Sequence, residues 1–114
     1  MRPALAIQGI FYTATGVWPL LHMPSFLRVT GPKTDLWLVK TVGTLVTAIG
    51  ASLLVASARR KSLEADVLAI GSAVALAAVD INYAAKGVIR PVYLLDAAVE
   101  AALTAVHVSG RLGR

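Results

Sequence analysis

An all-α integral membrane protein with four spans is the fold class this sequence predicts, and three observations predict it. Of the 114 residues, 57% are hydrophobic and the mean hydropathy is +0.73, whereas soluble domains are about 45–50% apolar. The apolar residues gather into four stretches, about 3–21, 36–58, 67–85 and 92–109, each near the roughly 20 residues a helix needs to cross the hydrocarbon of a bilayer. The basic residues fall between these stretches, where they anchor to headgroups. Four spans and their short connections take up residues 1–114, so the expectation is one membrane-embedded domain, a four-helix bundle of the cell membrane with several passes.

The first span opens at Pro3, a favoured first helical position, and ends between Pro19 and Pro24. Its start, Met1-Arg2 and an apolar run, has the look of a signal peptide. A retained helix is expected instead, because the run continues through Trp18, Pro19 and Leu21, and Ala14-Thr15-Gly16 is the one weak cleavage pattern. The segment His22 to Asp35 is the longest loop. Pro24, Gly31 and Pro32 prevent it from forming one continuous helix.

Thr34-Asp35 offers an N-cap for the second span, which ends at Arg59-Arg60-Lys61. Ser62 caps the third span, with Glu64 and Asp66 in a first turn where acids suit the helix dipole. That span ends around Lys86-Gly87. Arg90-Pro91 opens the fourth, which ends at Ser109-Gly110.

The termini and the second loop carry six Lys/Arg (Arg2, Arg59, Arg60, Lys61, Arg111, Arg114), and the other two loops carry four (Arg28, Lys33, Lys86, Arg90). The positive-inside rule then places both termini on the cytoplasmic side. Trp18, Trp37, Tyr83 and Tyr93 mark the outer boundary as interfacial aromatics. Asp35–Lys40 and Pro91–Asp96 share an order of aliphatic, aromatic, two aliphatics and a charge, which two repeated hairpins would explain.

Composition narrows the chemistry. The cysteine count is zero, which excludes disulfides, thiol redox chemistry and Cys-ligated metals, and with them the quinone-linked disulfide enzymes of similar helical design. The net charge of +5 would suggest nucleic acid in a soluble protein. Here the basic residues are span-end anchors, and no nucleic-acid partner is expected. By that topology His22 and His107 lie at opposite sides of the membrane, so no shared metal site and no cofactor is expected.

Ionisable groups inside the spans are the candidate site, since each costs about 2.5–3.5 kcal/mol at the centre of a helix crossing a membrane. On span 4, Tyr93, Asp96, Glu100, Thr104 and His107 are three and four apart and share one face. Asp96 and Glu100, four apart, repel each other when both ionise, so one tends to hold a proton. The alternative is a static network neutralised by Lys40.

Lys40 on span 2 is a counter-ion or base, or snorkels to the outer interface. Asp80 and Tyr83 share a face of span 3, either as ligand contacts or as a hydrogen-bonded helix end near Lys86 and Arg90. On span 1, Gln8, Tyr12, Thr15 and His22 form a line, with Tyr12 a lining residue. The expected ligand contacts are Lys40, Asp80, Tyr83, Tyr93, Asp96, Glu100 and Tyr12. The acid/base candidates are Asp96, Glu100, His22 and Lys40.

Small residues form the expected packing ridges: Gly9 with Gly16, Gly43 with Gly50, Ala69-Ala73-Ala77 and Ala97-Ala101-Ala105. One of these ridges also leaves room for a homo-oligomer seam.

These residues point first to a charged pocket in the outer half of the bilayer that binds or transports a small amphipathic, lipophilic or cationic ligand, coupled to protons. A second expectation is an intramembrane enzyme with isomerase-type acid/base chemistry on a lipophilic substrate. A third is a non-catalytic assembly subunit. Enzyme and non-enzyme remain open at this point. In size the chain resembles the small multidrug resistance transporters, but its first span carries Gln8 and no acid.

Overall fold

The computed structural model describes residues 2–112 and is all-helical among them. The helices are α1 (Pro3–Leu21), α2 (Met23–Thr30), α3 (Leu36–Ser57), α4 (Leu63–Ala85) and α5 (Tyr93–Leu112). Arg114, one of the expected inner-side charges, lies outside the described residues. The chain divides into two compact units, Met1–Lys61 and Ser62–Arg114.

In the first unit α1 packs along α3, and α2 packs on α1. The seam between α1 and α3 repeats every seven residues. The Arg2 amide donates to the Ser57 carbonyl at 2.9 Å, Gly9 meets Gly50, and Gly16 meets Gly43. A Cβ added at Gly16 would stand 2.6 Å from the Gly43 carbonyl oxygen, and one at Gly50 would stand 2.8 Å from that of Gly9. Backbones so close leave no space for side chains, and glycine pairs in membrane helices serve this purpose. A seven-residue seam also stays in register only if the helices wind around each other left-handedly.

The loop from His22 to Asp35 is not wholly irregular, because it contains α2. Pro24 sits in the first turn of that helix, where its missing N–H costs nothing, so it does not break the helix. Gly31, at φ 101°, ends it. Asp35 is the N-cap of α3 by position but makes no side-chain capping bond.

In the second unit α4 and α5 form a hairpin. Ser62 caps α4 as expected, its side chain accepting from the Ala65 amide at 3.1 Å, so the helix begins at Leu63, ahead of the apolar stretch from 67. Glu64 and Asp66 occupy its first turn. The buried positions of α4 are Asp66, Ala69, Ala73 and Asp80, and those of α5 are Ala97, Glu100, Leu103 and His107. The expected Ala97-Ala101-Ala105 ridge is therefore corrected, since Ala101 and Ala105 are exposed. A strict step of four drifts around a helix of 3.6 residues per turn; the mixed step of three and four does not.

Large apolar side chains point away from these seams. Ile7 and Ile10 on α1, Leu45 and Val55 on α3, and Val67, Val74 and Ile81 on α4 are all at least 50% exposed. Small or polar inside and large apolar outside suits a lipid environment. Among the described residues three helices, α1, α3 and α4, are long and apolar enough to cross a membrane. The fourth expected span, α5, is not among them; Asp96, Glu100, His107 and Arg111 dilute its apolar residues.

Two glycine substitutions check this packing. Gly16→Val should destabilise the first unit by about 1–3 kcal/mol through overpacking. Gly71→Ala, where an added Cβ meets nothing within 4 Å, should be neutral or stabilise by up to about 1 kcal/mol. Thermal unfolding midpoints in detergent would report both.

Candidate functional site

Carboxyl groups from two helices meet in the α4–α5 seam. Asp80 lies near the C-terminal end of α4 on its packed face and is 5% exposed. Asp96 and Glu100, one turn apart near the start of α5, reach the same place, with Glu100 only 1% exposed and Asp96 half-buried. The hairpin connection, residues 86–92, returns the chain beside α4 and sets these levels together. It closes with Val88 N–H donating to the Tyr83 carbonyl at 2.9 Å and Tyr93 N–H to the Arg90 carbonyl at 3.1 Å.

The Asp80 and Asp96 carboxyl groups are close enough to hydrogen-bond, and Glu100 is close enough to act on Asp80 electrostatically. Two ionised carboxylates have no hydrogen to share, so a bond between two carboxyl groups holds a proton. The Oδ2 atom of Asp80 is buried and has no hydrogen-bond partner. One turn beyond Glu100, the Thr104 hydroxyl donates to the Glu100 carbonyl at 2.9 Å. The arrangement can hold a proton, release it, and offer carboxylate oxygens to a cation.

The other expected residues are distributed as follows. Tyr93 is half-buried at the start of α5. Tyr83 is 41% exposed, and the Lys86 ammonium stands 5.7 Å from its ring centroid, a cation–π arrangement. Tyr12 is 1% exposed in the first unit. Lys40, also in that unit, is exposed on α3 and forms no ion pair among the described residues.

His22 is exposed and serves as the N-cap of α2. Its Nδ1 accepts from the Ser25 amide at 3.2 Å and lies 2.7 Å from Ser25 Oγ, which also receives the Trp18 indole N–H at 2.8 Å. Trp18 in turn meets Phe26 edge-to-face at 5.4 Å between centroids. This is a capping cluster that fixes the turn between α1 and α2.

Two buried ionisable residues escaped the sequence reading of the site. Asp66, 2% exposed, fits a first-turn dipole partner by position alone. His107, 6% exposed, lies on the span 4 stripe but outside the expected ligand contacts. Spacing contained the signal: Asp66, Ala69, Ala73, Ala77 and Asp80 step by three and four along one face. Among the described residues no group of three His, Asp or Glu side chains is arranged to hold a metal ion.

Comparison with known proteins returns no matching family, no matching curated protein and no matching solved structure.

The carboxyl pair makes a stability prediction. Asp80→Asn keeps a side chain that can donate to Asp96 and should cost less than about 1 kcal/mol. Asp80→Ala leaves the Asp96 carboxyl without that partner and should cost about 1–3 kcal/mol. Thermal denaturation of the two variants in the same detergent would separate them.

Proposed function

We propose that this protein is a multi-pass protein of the cell membrane that binds a small lipophilic cation at Asp80, Asp96 and Glu100 in exchange for a proton. The observation that carries this reading is the buried Asp80, within hydrogen-bonding reach of the half-buried Asp96 and beside the buried Glu100. Three carboxyl groups in one seam cannot all ionise cheaply, because like charges raise one another's energy in a low dielectric. A cation entering the site relieves that repulsion and lets the shared proton leave. A net-negative site also attracts cations over neutral or anionic molecules.

The topology follows from the same groups. α5 becomes a fourth span because its ionisable side chains turn into the seam: Glu100 and His107 are buried, while Leu94, Leu95, Val99 and Val106 are 40–69% exposed. Lipid therefore meets mainly its apolar face, the usual condition for ionisable residues in a span. With four spans, the six-to-four distribution of Lys/Arg places both termini in the cytoplasm. The acid site then lies toward the outer surface. Tyr93, half-buried one turn before Asp96, supplies an aromatic ring to the approaching ligand, and cations favour ring faces.

The experiment is proton release on ligand addition in weakly buffered detergent near pH 7, with tetraphenylphosphonium and methyl viologen as probes. Wild type should release protons as either probe binds. Glu100→Gln should weaken binding by at least about tenfold, since losing a buried charge that pairs with a ligand typically costs more than 1.4 kcal/mol. Absence of release with both probes, or full binding by Glu100→Gln, would overturn the reading.

A further inference from the structure

Asp66 and His107 are buried ionisable residues that the exchange above does not use. The hairpin's own register sets their level. From the Asp80–Asp96 pair, α4 runs back 14 residues to Asp66 and α5 runs forward 11 residues to His107. At about 1.5 Å per residue these are about 21 Å and about 16 Å along the seam. The two groups therefore stand within about one turn of each other in height, at the end of the seam opposite Asp80.

Between the ends lie Glu100, 1% exposed, and Thr104. The Thr104 hydroxyl spends its hydrogen on the Glu100 carbonyl at 2.9 Å and keeps its lone pairs as acceptors. The remaining buried positions of this seam are Ala69, Ala73, Ala97 and Leu103, whose side chains do not titrate. Ionisable and hydroxyl groups thus recur over about 21 Å of a hydrocarbon core about 30 Å thick.

A helix-dipole role explains an acid in the first turn of α4, but not one that is 2% exposed, since the dipole interaction needs no burial. It also does not explain why His107 is buried two turns beyond Glu100. Buried ionisable groups inside a membrane are costly and mark ion and proton pathways.

We propose that the α4–α5 seam carries protons between the Asp80–Asp96 pair and the Asp66–His107 end, making the proton the coupling ion of the cation exchange. The inference rests on that exchange reading for the origin of the proton. The shared proton leaves the Asp80–Asp96 pair and forms an O–H bond on the Glu100 carboxylate. The negative charge left on the pair is matched by the arriving cation. Glu100 passes the proton through water, oriented by the accepting Thr104 oxygen, to the unprotonated ring nitrogen of His107 and becomes a carboxylate again. The imidazolium yields it to the Asp66 carboxylate, from which it leaves to water. No electron transfer is involved, and each step breaks one bond to hydrogen and forms one.

The test uses the full chain in phosphatidylcholine vesicles with a trapped pH-sensitive dye, valinomycin and equal potassium on both sides to clamp the potential, and a gradient of methyl viologen. With methyl viologen added on the Asp80–Asp96 side, wild type should release protons at the Asp66–His107 end, along the direction of the cation gradient. His107→Gln and Asp66→Asn should each lower that flux by at least about tenfold, in the range expected for a positioned proton-transfer group. Proton release on methyl viologen binding in detergent should stay within about twofold for both variants, because the sites are well separated. Asp66→Glu, which keeps the carboxyl, should retain flux and so distinguishes a relay from a folding defect. Release on binding without transmembrane flux in wild type, or wild-type flux in both His107→Gln and Asp66→Asn, would overturn the relay and leave the cation site standing. Absence of release in wild type would overturn the cation site as well.

Discussion

Helices that meet inside hydrocarbon gain nothing by burying apolar side chains from water, so they must gain by close contact and by hydrogen bonds. Both units of this protein obey that constraint in different ways. Between α1 and α3 the contact is backbone on backbone, with Gly9 against Gly50 and Gly16 against Gly43. Between α4 and α5 the helices approach over Ala69, Ala73 and Ala97, and the seam ends in carboxyl groups. Apart from the buried Leu5, Tyr12, Leu53 and Leu103, most large apolar side chains lie outside the seams, where lipid would accommodate them.

The α4–α5 seam turns that constraint into chemistry. Once a seam is made of small residues, a carboxyl in it is shielded from water and must find a partner inside the protein. Asp80 meets Asp96, and a hydrogen bond between two carboxyl groups needs a proton on one of them. The proposed exchange builds on that condition, with an arriving cation supplying the charge that would let the proton leave.

The first unit uses polar groups for a different end. His22, Ser25 and Trp18 are joined by bonds of 2.7 and 2.8 Å, and Lys33 reaches the Thr30 hydroxyl at 2.9 Å and lies 5.4 Å from the Phe26 ring centroid. These contacts order α2 and its exit. They leave His22 in a cap, its Nδ1 facing the Ser25 amide.

The chain by itself determined the long helices, because span length and apolar runs follow from local composition. It also determined the glycine contacts, since a spacing of seven survives in the seam, and the Ser62 cap, which is a local bond. It placed Asp80 and Asp96 at one depth and Glu100 a turn deeper, because helix rise is fixed. Only the tertiary structure decided the rest. Pro24 and Gly31 read as breakers but bracket α2, since a proline in a first turn and a glycine at a C-terminus both favour a helix between them. Ala101 and Ala105 read as a ridge but face outward, because seam register depends on the partner helix. Burial of Asp66 and His107 was likewise decided by how α4 and α5 pair: position along a helix is local, whereas which face is covered belongs to the fold.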